Sequence, residues 1–206
     1  MAQIESPSSS ILIAYASFTK GNVPHANVSI TNVVQPAHAA SNSEHDQLAA
    51  QQFDGLLNRT FLDPLVGRGY PAIVPCDRAL LDSQIQRGDM EEIAAPIDFL
   101  GVNYYTRRIC RSDKISENDN EPQTVQSRDE ETGMGWEVYP EGLSEIFDRL
   151  HRDYGFKSYF ITKNGAAYRH VRNAGDHIND DERISYLLRH LQQAALIVDR
   201  GIPLHG

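Results

Sequence analysis

Three β-rich runs, each far from the next, constrain this chain more than any other feature of it. They are "ANVSITNVV" (Ala26 to Val34), "DFLGVNYYTRRIC" (Asp98 to Cys110) and "SYFITKNG" (Ser158 to Gly165). Val, Ile, Thr, Tyr and Phe at this density predict strands. Hairpin loops are about two to five residues long, so none of these runs can pair with the next through a hairpin. The intervening segments carry helical periodicity instead. Strands joined through helices return in the same direction, which predicts a parallel α/β sheet.

The helical segments have start and stop signals. "SNSEHDQLAAQQFDGLLNRTFLDPLV" opens on Ser41 and Ser43 as cap candidates and places Leu48, Phe53, Leu56, Leu57 and Phe61 at helical spacing. Asp63-Pro64 predicts a break or kink there. "PEGLSEIFDRLHRDYG" has Pro140 at its start, Gly155 at its end and an apolar stripe of Leu143, Ile146, Phe147 and Leu150. "DDERISYLLRHLQQAALIVDRG" opens with acids at its positive end and closes at Gly201. "ILIAYASFTKG" reads as the last turns of a helix, and "MEEIAAPI" as a short helical lead-in. Met1 to Ser10 is Ser/Pro-rich and reads as disordered. "GRGYPAIVP" is a turn region, residues 111 to 135 read as a long surface loop, and "IPLHG" as the approach to a strand that does not arrive.

Composition removes several function classes. The net charge of -9 disfavours nucleic acid, whose phosphates need a basic footprint. No apolar run approaches the roughly 20 residues of a membrane span. Glu5 stands where a signal peptide would carry positive charge, so the expected location is cytoplasmic. Cys76 and Cys110 are far apart and read as buried free thiols. His38, His170 and His177 are scattered with no carboxylate partner in sequence, so no metal site is expected. Neither GxGxxG nor GxxxxGK[ST] occurs, and no cofactor is expected.

Four stretches, "QFDGLLNRTFLDPLVGRGYP", "APIDFLGVNYYTRR", "MGWEVYPEGL" and "ITKNGAAY", resemble glycoside hydrolase family 1 in order and spacing. These are β-glucosidase-like retaining enzymes on a TIM barrel. The tail "RISYLLRHLQQAALIVDRGIPLHG" resembles the helix before the last barrel strand. The resemblance implies an α/β fold: a partial TIM (β/α)8 barrel holding strands five to seven with their helices, not closed. The implied division is an N-terminal disordered segment and helix remnant over 1–24, then the partial barrel over 25–206. The implied barrel-facing residues are Ile30, Val102 and Ile161 or their neighbours.

Retaining glycosidases use two carboxyl groups, a nucleophile and an acid/base. By the resemblance, the nucleophile is the glutamate of an I-T-E-N-G motif, and that position here is Lys163. The acid/base glutamate belongs to a T-x-N-E-P motif that this sequence does not contain; its Glu121-Pro122 lies in the polar stretch and reads as coincidence. A protonated ammonium has no lone pair and places positive charge where the transition state develops positive charge. Lys163 therefore reads as a substituted nucleophile position. A Schiff-base lysine is the alternative, and it needs a pocket that lowers the amine's pKa.

The same resemblance implies that Asn103 and Tyr105 lie near the reacting sugar and that Trp136 is an aromatic on the aglycone side. Strand alternation puts Asn103 and Tyr105 on one face and Tyr104 on the other, where core packing competes with a site role. Glu137 reads as a solvated or capping acid. The implied ligand is a β-linked glucoside or related sugar, with no nucleic acid, no membrane and no defined oligomeric state. Three readings stand side by side: a β-glucosidase-type hydrolase, a sugar-binding pseudoenzyme, and a fragment without function of its own.

Overall fold

The computed structural model describes residues 25–74, 77–112, 123–125, 130–169 and 179–206. The expectations for Met1 to Ser10, the helix end at 11–21, Cys76, Glu121-Pro122, His170 and His177 lie outside these residues. In chain order the strands are β1 (Ser29–Val33), β2 (Ala37–Ala39), β3 (Phe99–Asn103), β4 (Arg108–Arg111), β5 (Gln123–Val125) and β6 (Tyr159–Lys163). The helices are α1 (Glu44–Asp54), α2 (Thr60–Leu65), α3 (Arg78–Gln84), α4 (Asp89–Ile93), α5 (Glu141–Asp153) and α6 (Asp181–Asp199), with a π-helical turn, Gly55–Arg59, between α1 and α2.

The three β-rich runs form one parallel sheet in the order β1-β3-β6. Its register aligns Ile30 with Leu100 and Tyr159, and Asn32 with Val102 and Ile161. Leu100, Val102 and Tyr159 are fully buried and share a core with Leu62, Leu143, Ile146, Phe147, Leu150 and Ile197 from the helices. Ile30 and Ile161 pack against the same core. The barrel-facing set is therefore their neighbours. Phe99 and Phe160 meet edge-on at 4.7 Å, and Gly101 lies between Thr31 and Thr162. Strands of a parallel sheet are apolar on both faces, so alternation alone could not say which face meets the helices.

Several boundaries differ from expectation. The run Asp98 to Cys110 is not one strand. It breaks after Asn103 because residues 104 to 107 are tied to the segment before α5: Tyr104 Oη donates to the Tyr139 carbonyl, and Thr106 Oγ1 to the Glu137 carbonyl at 2.8 Å. Pairing resumes beyond Pro36 and Thr106 as a second sheet, with β2 parallel to β4 and β4 antiparallel to β5. The stretch expected to be all loop thus contains β5. The tail also does more than approach a strand. Leu204 bridges Tyr159 in parallel, Tyr159 N donates to the Pro203 carbonyl at 2.9 Å, and His205 N donates to the Tyr159 carbonyl at 3.0 Å. A fourth parallel strand begins on the outer edge of β6.

Helix signals were more faithful. Ser43 caps α1 by accepting from Asp46 N at 3.1 Å. Pro64 is accommodated in α2, which ends at the next residue. Helix α3, capped by Asp77, buries no residue, so no apolar stripe announces it. Among the described residues no helix is long and apolar enough to cross a membrane.

Candidate functional site

All three main-sheet strands run the same way, so their carboxyl ends lie together. Val33, Asn103 and Lys163 form the last rung. A register shift after Val102 brings Lys163, rather than Thr162, opposite Asn103. Thr162 Oγ1 then donates to Asn103 Oδ1 at 2.8 Å, and Asn103 is buried. The Lys163 side chain is exposed and makes no hydrogen bond or ion pair among the described residues.

The next residue fixes the turn. Asn164 Nδ2 donates to the Tyr104 carbonyl at 3.0 Å and to Tyr186 Oη at 3.2 Å, while Tyr186 Oη donates to the Tyr105 carbonyl at 3.2 Å. One amide and one phenol therefore clamp the end of β6 to the end of β3. The Tyr105 ring lies 5.8 Å from Trp136, tilted by 52°. Trp136 sits in a loop closed on itself, with Thr132 N donating to the Trp136 carbonyl at 2.8 Å. Gly133 N donates to the Ala167 carbonyl at 2.6 Å, which ties this loop to the segment after Lys163. Asn103, Tyr105, Trp136 and Lys163 are thus gathered at one end of one sheet. Tyr104 is in the core, and burial raises its phenol far above the ordinary range.

Glu137 is neither solvated nor a cap. It is buried, and Arg107 grips it with two hydrogen bonds of 2.8 Å. The Arg107 guanidinium also reaches His38 Nδ1 at 3.1 Å and lies 3.9 Å from the Tyr139 ring centre. His38 does have a carboxylate partner, Glu145 Oε2 at 2.8 Å, and Tyr139 Oη donates to Glu145 Oε1 at 2.5 Å. The His38 hydrogen bond holds the Glu145 carboxyl below its usual range, outweighing burial. Burial, then the Glu145 contact, pushes the Tyr139 phenol up to about 12. These partners come from β2, the start of β4 and α5, and no local spacing in the sequence announces them. The network holds the residue next to Trp136, so it positions the aromatic wall. Among the described residues no group of three His, Cys, Asp or Glu is placed to hold a metal ion.

The profile of the glycosyl hydrolase family 1 matches residues 10–206. The β-glucosidase A of Acetivibrio thermocellus is 33% identical over 170 residues, which cover 81% of this chain and 38% of that protein. The crystal structure of a β-glucosidase from Exiguobacterium marinum superposes with a TM-score of 0.84 at 32% identity, covering 96% of this chain and 46% of that one. The Thermotoga maritima β-glucosidase in complex with glucoimidazole gives a TM-score of 0.82 at 27% identity, covering 95% of this chain and 44% of that one. The chain spans about two fifths of the length of the curated relatives it matches.

Proposed function

The chain belongs to glycosyl hydrolase family 1, and on that premise we propose that it carries barrel strands five, six and seven of a β-glucosidase-type hydrolase, with the nucleophile position occupied by Lys163. The carrying observation is the last rung. Lys163 ends β6 directly opposite Asn103, and the Tyr105–Trp136 aromatic pair stands beside them. Barrel active sites lie at the carboxyl ends of the strands, which is where these four residues sit. The substrate class that follows from the family is a β-linked glucoside, and the chain as it stands does not hydrolyse it.

The chemistry supports inactivity on two counts. Covalent glycosylation needs an anionic oxygen at the anomeric carbon, and an ammonium supplies none. Its charge also opposes the oxocarbenium-like transition state. Acid/base help is absent as well, since no T-x-N-E-P motif occurs in this sequence; such help is worth roughly 10²–10⁴-fold. The test is nitrophenol release from an aryl β-glucoside. The unaltered chain and Lys163→Glu should both stay at background in steady state, because the revertant still lacks a base for deglycosylation. Steady turnover by the unaltered chain, abolished by Lys163→Ala, would make Lys163 a working nucleophile instead.

A second reading is sugar binding without cleavage. It is favoured by the retained aromatic pair and the buried Asn103 beside it. Trp136 is the only tryptophan, so its fluorescence reports this wall alone. Titration with glucoimidazole should quench or shift that emission in the unaltered chain and lose the effect in Asn103→Ala. An emission unchanged at millimolar ligand rejects binding.

A further inference from the structure

Where β6 leaves the sheet, side chains take over from the backbone ladder. Tyr104 N donates to the Lys163 carbonyl at 3.0 Å, a rung made by the main chain. In a regular parallel pair the Tyr104 carbonyl would next accept from the backbone N–H two residues beyond Lys163. Asn164 Nδ2 fills that place at 3.0 Å. The same amide donates to Tyr186 Oη at 3.2 Å, and Tyr186 Oη donates to the Tyr105 carbonyl at 3.2 Å. One hydroxyl therefore touches the residue after Lys163 and the residue whose ring faces Trp136.

Tyr186 itself is held firmly. It is fully buried, His190 stacks on its ring at 3.9 Å, and His190 Nδ1 donates to its carbonyl at 2.7 Å. Burial pushes the phenol up to about 12, so it remains a proton donor at neutral pH. Its helix reaches the neighbouring segments as well. Arg183 Nε donates to the Ala166 carbonyl at 3.3 Å, and Arg189 Nη2 to Glu130 Oε2, just before the Trp136 loop, at 2.8 Å.

We propose that Tyr186 is a positioning residue of the candidate site, its hydroxyl setting where Lys163 stands relative to Tyr105 and Trp136. Core packing alone needs only the ring, which phenylalanine would supply equally. The hydroxyl adds a donor and an acceptor that join the two strand ends beyond their backbone rung. The inference rests on the reading that the site lies at this end of the sheet. It needs neither sugar binding nor chemistry at Lys163.

The experiment reads Trp136, the only tryptophan, by acrylamide quenching in the ligand-free chain. Tyr186→Phe keeps the ring and its stack and removes the hydroxyl alone. Tyr154→Phe is the control, because its hydroxyl donates to Asp63 on α2 at 2.7 Å. Both should lower the urea midpoint followed by circular dichroism. Only Tyr186→Phe should also raise the quenching constant, at least about twofold, because loss of both hydrogen bonds opens the strand end more often. Asn164→Ala removes the shared amide and should raise it too, and the double variant should add little to either single change. Asn164→Ala decides alone if Tyr186→Phe does not fold. Titration with glucoimidazole tests the sugar-binding reading separately: a chain that ignores the ligand yet shows this quenching pattern loses that reading and keeps this one. Unchanged quenching in folded Tyr186→Phe or Asn164→Ala, an equal rise in Tyr154→Phe, or full additivity of the two changes overturns the proposal.

Discussion

At the scale of single residues, the buried histidine offers the cleanest pH test. His190 is 2% exposed, stacks on Tyr186 at 3.9 Å and bonds through Nδ1 to the Tyr186 carbonyl at 2.7 Å, leaving Nε2 buried and without a hydrogen-bond partner among the described residues. Burial lowers its pKa from the ordinary 6.5. Above that value the ring is neutral in both folded and unfolded chains and adds no pH dependence. As the pH falls below it, the unfolded chain takes up a proton that the folded chain refuses. The unfolded state then binds more protons, and stability falls as the pH drops toward the lowered folded value. The urea midpoint should therefore decline between pH 7 and 5.5, and the decline should be shallower in His190→Phe. Equal slopes in the two proteins would show that the ring titrates freely. Lys163 is placed by the backbone alone: it stands on the last rung opposite Asn103 with its side chain exposed.

At the scale of elements, Gly101 explains how the three strands approach one another. A Cβ at this position would meet Thr31 Oγ1 and would come within 3.0 Å of Thr162 Cγ2. The glycine lets side chains of β1 and β6 converge over the middle strand. Gly101→Ala should cost about 1–3 kcal/mol by overpacking, and less in a Thr31→Ala background, where the nearest obstacle is gone. A double-mutant cycle by urea unfolding measures the coupling. Strict additivity would mean that the strands are not held this closely. The elements also show what could be read in advance. The three parallel strands, the α1 cap at Ser43 and the α5 stripe were legible because each is announced by local propensity, capping or periodicity. The break of the second run at Tyr104 was not, because distant partners at Tyr139 and Glu137 impose it. The site divides the same way. The placement of Asn103, Tyr105, Trp136 and Lys163 at one end of the sheet was readable from motif and strand position. Arg107, Tyr139 and Glu145 were not, since their pairing depends on how β2, β4 and α5 come together.

At the scale of the whole molecule, the decisive quantity is apolar surface left by an unclosed ring. The face opposite the helices presents Phe99 and Phe160, and the edges present Phe61 and Leu191. Contiguous apolar patches and unpaired strand edges bind other surfaces or dyes. Native stability is a small difference between large terms, typically about 5–15 kcal/mol for a closed domain. A sheet that buries only one face against helices forfeits part of the favourable term while still ordering its backbone. The isolated monomer should therefore bind a hydrophobic dye and melt broadly. The measurement is dye fluorescence and thermal unfolding across a hundredfold concentration range. A sharp, cooperative transition with no dye binding at the lowest concentration, where the chain is monomeric, would mean that these strands and helices already make a closed core of their own. The open face would then be an ordinary surface of the fold, not half of a barrel waiting for the rest.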